Sequence, residues 1–106
     1  MEKIATVDEI LIGEMKSFKI KNKEILITNI MGNFFAMDNR CSHMKGNLSE
    51  GTLEGDIVVC PRHGSRFNVR TGEAVKGPKI LIVRFGTKNL NTYSLKIQEN
   101  DIMIEI

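Results

Sequence analysis

The stretch 41-CSHMKGNLSEGTLEGDIVVCPRHGSRF-67 holds both cysteines and both histidines of a 106-residue chain. They fall as Cys-x-His, then sixteen residues, then Cys-x-x-His. Cys41, His43, Cys60 and His63 are therefore candidate ligands in two matched clusters. Thiolate is a soft ligand and imidazole a borderline one, so zinc, copper and iron–sulfur chemistry are all open. The arrangement discriminates among them. A two-finger zinc site pairs cysteines in one half and histidines in the other. Here each loop supplies one sulfur and one nitrogen. That suits a two-iron cluster with two cysteines on one iron and two histidines on the other, each loop reaching across both irons. Replacing two thiolates by neutral imidazoles removes negative charge and raises the potential above that of a four-cysteine cluster.

Outward from this stretch the hydrophobic period is two, not 3.6. Phe18 and Ile20 alternate with Lys19 and Lys21. Asn22-Lys23 reads as a tight turn, and Ile25 and Ile27 follow at the same spacing. Met31-Gly32-Asn33 is a second turn signal, and residues 34–37 read as the returning strand. Towards the C-terminus Tyr93, Leu95 and Ile97 alternate. Glu99-Asn100-Asp101 makes a turn, and Ile102, Ile104 and Ile106 alternate again, as a closing hairpin. The segment 80-ILIVRF-85 reads as a more fully buried strand. Only residues 7–11 could form a short helical turn. The expected architecture is all-β, a sandwich or small barrel. A loop-rich insert, about residues 38–80, carries both prolines and is mounted on that β base.

The chain length corresponds to one domain, residues 1–106. Hydrophobic content of 42% and charged content of 26% are those of a globular protein. A net charge of +2, with acids and bases interspersed, gives no concentrated basic patch for nucleic acid. No apolar run approaches the roughly 20 residues that span a bilayer, and the N-terminus has no long apolar segment of a signal peptide. A reducing cytoplasmic setting is expected, where two cysteines serve as ligands or thiols more often than as a disulfide.

The motif C-x-H-x16-C-x-x-H, with 60-CPRHGSRF-67 as its second half, resembles that of the Rieske [2Fe–2S] ferredoxins. The resemblance extends over nearly the whole chain. It takes in VDEI…GEMKSFKI, 34-FFAMDNRCSH-43, LSEGTLEGDIVVCPRHGSRFNVRTGEAVKGP and 93-YSLKIQENDIMIEI-106. It implies three antiparallel sheets, with a cluster-binding subdomain inserted in a basal β domain. It further implies one [2Fe–2S] cluster per chain. Cys41 and Cys60 would bind the buried iron. His43 and His63 would bind the outer iron through one ring nitrogen and present the other at the surface, where it can titrate.

Departures from the family pattern sharpen the expectation. Respiratory members carry two further cysteines that tie the loops. Here the corresponding stretches hold Lys45-Gly46 and Arg62, which points to the oxygenase-associated ferredoxin branch. The first loop of the family reads C-x-H-x-G, whereas Lys45 takes the place of that glycine and Gly46 follows. Ser65 matches a serine that bonds a bridging sulfide in high-potential members. Phe67 stands where those members have a tyrosine that bonds a ligand sulfur, so one source of raised potential is missing. The expected potential lies in the lower or middle part of the range of about −150 to +300 mV, and a value above roughly +200 mV would contradict it.

Around the ligands, Gly64 is a turn glycine or a place where backbone N–H groups approach the cluster sulfides. Gly77-Pro78 is either an ordinary turn or, by resemblance, a loop in which Pro78 covers the cluster. Pro61 restricts the second ligand loop on any reading. Lys45, Arg62, Arg66, Lys76 and Lys79 would rim the cluster, either as a solvated surface or as a docking face for an acidic partner, with Lys45, Arg62 and Arg66 foremost. Phe34-Phe35 and the methionines are expected to be packing residues.

The expected function is one-electron carriage by a monomer that is not itself an enzyme. By resemblance the donor is a ferredoxin reductase and the acceptor the terminal oxygenase of a multicomponent dioxygenase, or another redox acceptor. An oxygenase also needs a mononuclear iron held by two histidines and a carboxylate, and no histidine remains for one once the cluster is served. The alternatives are a zinc-stabilised or redox-sensing binding module with the same ligands, and an electron-transfer subunit of a larger oxidoreductase complex.

Overall fold

A computed structural model describes residues 1–42, 45–62, 64–75 and 88–106. His43, His63, Lys76, Pro78, Lys79 and the expected strand 80–85 lie outside the described residues. Among the described residues the regular structure is β-strand with two 3-10 turns, and the strands form three antiparallel sheets. The first sheet joins β1 (Glu2–Thr6) to β11 (Asp101–Ile104) and β10 (Leu95–Gln98), in the order β1-β11-β10. The second contains β2 (Met15–Ile20), β3 (Lys23–Ile30), β4 (Asn33–Asp38) and β9 (Thr92–Tyr93), in that order. The third contains β5 (Thr52–Glu54), β6 (Ile57–Val59), β7 (Arg66–Asn68) and β8 (Ala74–Val75). The third sheet arises wholly within the excursion between β4 and β9, which are neighbours in the second.

The second sheet is buried on both faces, and β3 shows why. Ile25 and Ile27 point into a core shared with Ala5, Ile10, Ile102 and Ile104 of the terminal strands. Leu26 and Ile30, on the opposite face, enter a second core with Met37, Leu48, Val58, Phe67 and Val69. Alternation sends the next strand's residues the same two ways. Phe34 packs against the first core and Phe35 against the second, so the Phe34-Phe35 pair is packing, as expected. Each fully buried Ile, Leu or Phe contributes about 1.5–3 kcal/mol relative to exposure.

Several local readings change, and the turn expected at Met31-Gly32-Asn33 is Met31-Gly32, with Asn33 already paired to Ile30 in β4. The β2–β3 turn is Lys21-Asn22, not Asn22-Lys23. Ile20 pairs with Lys23, and both turn residues have positive φ, 49° and 65°. Positive φ at both central positions is the type I′ two-residue turn, whose twist matches that of its strands. The segment 93–97 is two strands rather than one. Tyr93 pairs with Ala36 in the second sheet and Leu95 with Ile104 in the first, so the chain changes sheet at Ser94. Asp101 already belongs to the closing strand, paired with Gln98. The short helical turn is a 3-10 turn over Val7–Glu9. A second one, Leu48–Glu50, was not anticipated. No helix among the described residues is long and apolar enough to cross a membrane.

Candidate metal centre

The two cysteines lead out of strands at one end of the core between the second and third sheets. Cys41 follows β4, and Cys60 follows β6 directly. Both are buried, at 1% and 2% exposure, and both belong to the core that contains Phe67, Leu48 and Val58. Burial of thiols beside apolar side chains is ordinary. Their backbone setting is not, because the same construction appears twice. Cys41 N–H donates to Gly46 O at 2.9 Å, and Cys41 O accepts from Lys45 N–H at 2.7 Å. Cys60 N–H donates to Ser65 O at 2.8 Å, and Cys60 O accepts from Gly64 N–H at 3.1 Å. In each loop the cysteine thus bonds the residues four and five positions on. The fourth residue takes positive φ in both: 56° at Lys45 and 75° at Gly64. Gly64 N–H closes this turn.

The loops also interlock. A Cβ on Gly46 would lie 2.7 Å from Cys60 Sγ and 3.1 Å from Arg62 Cγ, so the first loop's backbone rests directly against the second loop's sulfur. Gly46 is buried and does not have positive φ. Its lack of a side chain serves close approach. Below the second loop, a Cβ on Gly51 would run into the Val59 carbonyl oxygen, so the 48–50 turn is packed against the residue before Cys60.

Several polar groups hold the first loop. Asn39 is fully buried. Its amide donates to Asn47 Oδ1 at 2.7 Å, and its own Oδ1 accepts from Ser49 N–H at 3.0 Å. Asn47 Oδ1 also accepts from the Ser49 hydroxyl at 2.6 Å. Ser42, next to Cys41, bonds Lys88 twice: its hydroxyl donates to Lys88 O at 2.6 Å and accepts from Lys88 N–H at 2.8 Å. At the end of β4, Tyr93 donates its hydroxyl to Asp38 Oδ1 at 2.6 Å. Burial first, and then this carboxylate, push the Tyr93 phenol up to about 12, so it remains neutral at physiological pH. Asn39, Asn47, Ser42 and Tyr93 were not singled out from sequence. A polar side chain two residues before a candidate ligand was the only available signal, and it is weak.

Of the remaining expected residues, Ser65 is buried at 4% and Phe67 fully buried. Lys45 and Arg62 are exposed. Arg66 is half-buried, and its guanidinium is held by Glu54 at 3.2 Å. Two sulfurs from mirrored loops, buried in one core with a glycine backbone against one of them, form a donor set that suits a compact sulfur-rich group.

The comparisons agree with that chemistry. The Rieske [2Fe–2S] domain family matches residues 1–92. The chain belongs to the Rieske [2Fe–2S] family. Its cofactor is a [2Fe–2S] cluster, which leaves no place for the zinc alternative, and its role is electron transfer rather than catalysis on a substrate of its own. The ferredoxin component of naphthalene 1,2-dioxygenase/salicylate 5-hydroxylase systems from a Ralstonia species is 35% identical over 102 residues, 96% of this chain and 91% of the relative. The Sphingomonas yanoikuyae B1 ferredoxin superposes with a TM-score of 0.83 at 26% identity, covering 98% of this chain and 96% of that one. A chain from a complex of reduced oxygenase and oxidized ferredoxin in carbazole 1,9a-dioxygenase gives a TM-score of 0.81 at 26% identity, covering 96% and 89%. The three-sheet fold expected for the family is the one observed.

Proposed function

We propose that this Rieske protein takes single electrons from a ferredoxin reductase and delivers them to the terminal oxygenase of a multicomponent ring-oxidising system, acting as a monomer in the cytoplasm. Cys41 and Cys60 hold the inner iron, and His43 and His63 the outer one. The [2Fe–2S] cluster, when bound, supplies a one-electron couple whose potential is raised by imidazole in place of thiolate. The chain's own residues do the rest. The mirrored hydrogen bonds fix the backbone of both cysteines, and the apolar core of Phe67, Leu48 and Val58 keeps water from their sulfurs. Phe67 brings no hydroxyl to a sulfur. By the family resemblance Pro78 would cover the site, and Lys45, Arg62 and Arg66 give the loop tips a positive rim for an acidic partner. The whole chain forms one domain, with residues 38–80 as its cluster-bearing insert.

The observation that carries this reading is the interlock of the two loops, with Gly46 against Cys60 Sγ and both sulfurs in one core. The relatives point to the acceptor class, being named as components of oxygenase systems. Different aromatic substrates appear in those names, so the substrate belongs to the oxygenase. The test is reconstitution. The protein should be red-brown, with roughly two irons and two sulfides per chain. It should mediate NADH oxidation by a flavin reductase only when an oxygenase component and its aromatic substrate are present. An iron-loaded protein that accepts electrons but passes them to no oxygenase would reject the assignment of acceptor. A colourless protein would reject the ligand set.

A further inference from the structure

The cations around the ligand loops are not equivalent. Arg40 is held by Glu24 at 3.0 Å, Arg66 by Glu54 at 3.2 Å and Arg70 by Asp56 at 2.9 Å. Lys45 and Arg62 are exposed, and neither enters an ion pair among the described residues. They come from different loops, and the two loops touch beside them. The Arg62 stem lies over Gly46, the residue that follows Lys45, with Arg62 Cγ 3.1 Å from where a Gly46 Cβ would be. Two like charges carried on touching loops, with no ion-pair partner among the described residues, attract an anion.

An independent observation concerns Lys45 alone. Its φ of 56° is the left-handed conformation that glycine adopts without cost and a long side chain does not. The second loop fills the same corner with Gly64. Lysine at this corner therefore sacrifices some folding stability, and what it adds there is an exposed charge.

We propose that Lys45 and Arg62 form a two-cation contact, one residue from each ligand loop, that receives carboxylates on the acidic face of the redox partner. Arg66 is not part of it, because Glu54 already holds its charge. The contact rests on the carrier reading given above and narrows the positive rim to two side chains.

The test uses the reduced, cluster-loaded protein at low ionic strength, mixed rapidly with ferricyanide or with hexaamminecobalt(III). In each reaction one electron leaves the protein, giving ferrocyanide or cobalt(II). Lys45→Glu and Arg62→Glu should each slow the reaction with the anionic oxidant by roughly three- to tenfold and accelerate the reaction with the cationic one. Salt at about 1 M, where the screening length is about 3 Å, should erase both effects. Lys96→Glu, the same charge change on exposed β10, should leave both rates unaltered. A second readout involves no electron flow: fluorescein-labelled hexaglutamate should bind wild type and Lys96→Glu alike by anisotropy, and bind the two loop variants at least threefold more weakly. Lys45→Gly should raise the urea midpoint while slowing ferricyanide, a divergence that a purely structural Lys45 would not produce. If wild type reduces both oxidants but Lys45→Glu and Arg62→Glu behave like Lys96→Glu, the contact is overturned and the carrier reading survives. A protein that reduces neither oxidant overturns both.

Discussion

The loops 41–46 and 60–65 are built to one plan and filled with different residues. In each, a cysteine bonds the backbone of the residues four and five positions on, and the chain turns through a left-handed corner at the fourth. The second loop puts glycine at that corner. The first puts lysine there and glycine one place later, where the backbone must lie against Cys60 Sγ. By sequence alone, Gly46 looks like the motif's glycine displaced by one position. The structure shows that Gly64 answers a demand of backbone conformation and Gly46 a demand of space. The lesson is that a glycine in a ligand motif has to be assigned to one demand or the other before its substitution is interpreted.

The largest expected effect breaks the comparison at the space-demanding position. Gly46→Ala places a Cβ 2.7 Å from Cys60 Sγ, so a sulfur or a backbone must move. Overpacking of this kind costs about 1–3 kcal/mol, and iron and sulfide content should fall together with the urea midpoint. Next comes Asn39→Ala, which removes the buried amide beneath the first loop only. It removes two hydrogen bonds, to Asn47 Oδ1 and from Ser49 N–H, leaves Ser49 N–H only its 3.1 Å bond to Asn47 Oδ1, and costs about 1–3 kcal/mol. Hydrogen exchange should report loosening at residues 45–49 while residues 64–68 retain their protection.

Gly64→Ala should do less than Gly46→Ala. Among the described residues nothing lies within 4 Å of the added Cβ, so the conformational cost of about 1–2 kcal/mol dominates, and cluster content should hold. If Gly64→Ala were the more damaging of the two, the assignment of demands would be reversed. Lys45→Gly should be stabilising, by about 0.5–1 kcal/mol, because it gives the first loop the residue its corner favours. Denaturant midpoints at constant slope measure it.

The smallest effect concerns the footing of the first loop. The Tyr93 pKa is raised from 10 to about 12 in the folded protein. Below pH 10 both folded and unfolded states carry the neutral phenol, so the contribution is complete. Between pH 10 and 12 the unfolded state loses its proton first, and stability falls. Tyr93→Phe should abolish that part of the alkaline decline without altering the profile near neutrality.

Much of the fold was legible because the central hairpins alternate so regularly. Ile25/Ile27 and Ile102/Ile104 face one core, as period two requires. The one-residue error at Lys21-Asn22 has a physical source: the turn is fixed by φ at both central residues, and lysine carries no signal for positive φ. The split at Ser94 was invisible, since Tyr93, Leu95 and Ile97 keep their alternation through a change of sheet. The paired cysteines were legible because two mixed loops suit few kinds of site. The polar scaffold of Asn39, Asn47 and Ser42 was not, because its meaning lies in contacts between the loop and distant backbone, as far as Lys88. Arg66 looked equivalent to Arg62 until Glu54 was seen beside it.

The central claim is that each loop gives its cysteine to one iron and its histidine to the other. Mössbauer spectroscopy of the ⁵⁷Fe-loaded, oxidised protein tests this most directly. Two inequivalent iron sites of equal area are predicted, one in an all-sulfur environment and one with nitrogen ligands. A single iron environment would contradict the account, as would a protein that takes up one metal ion and no sulfide.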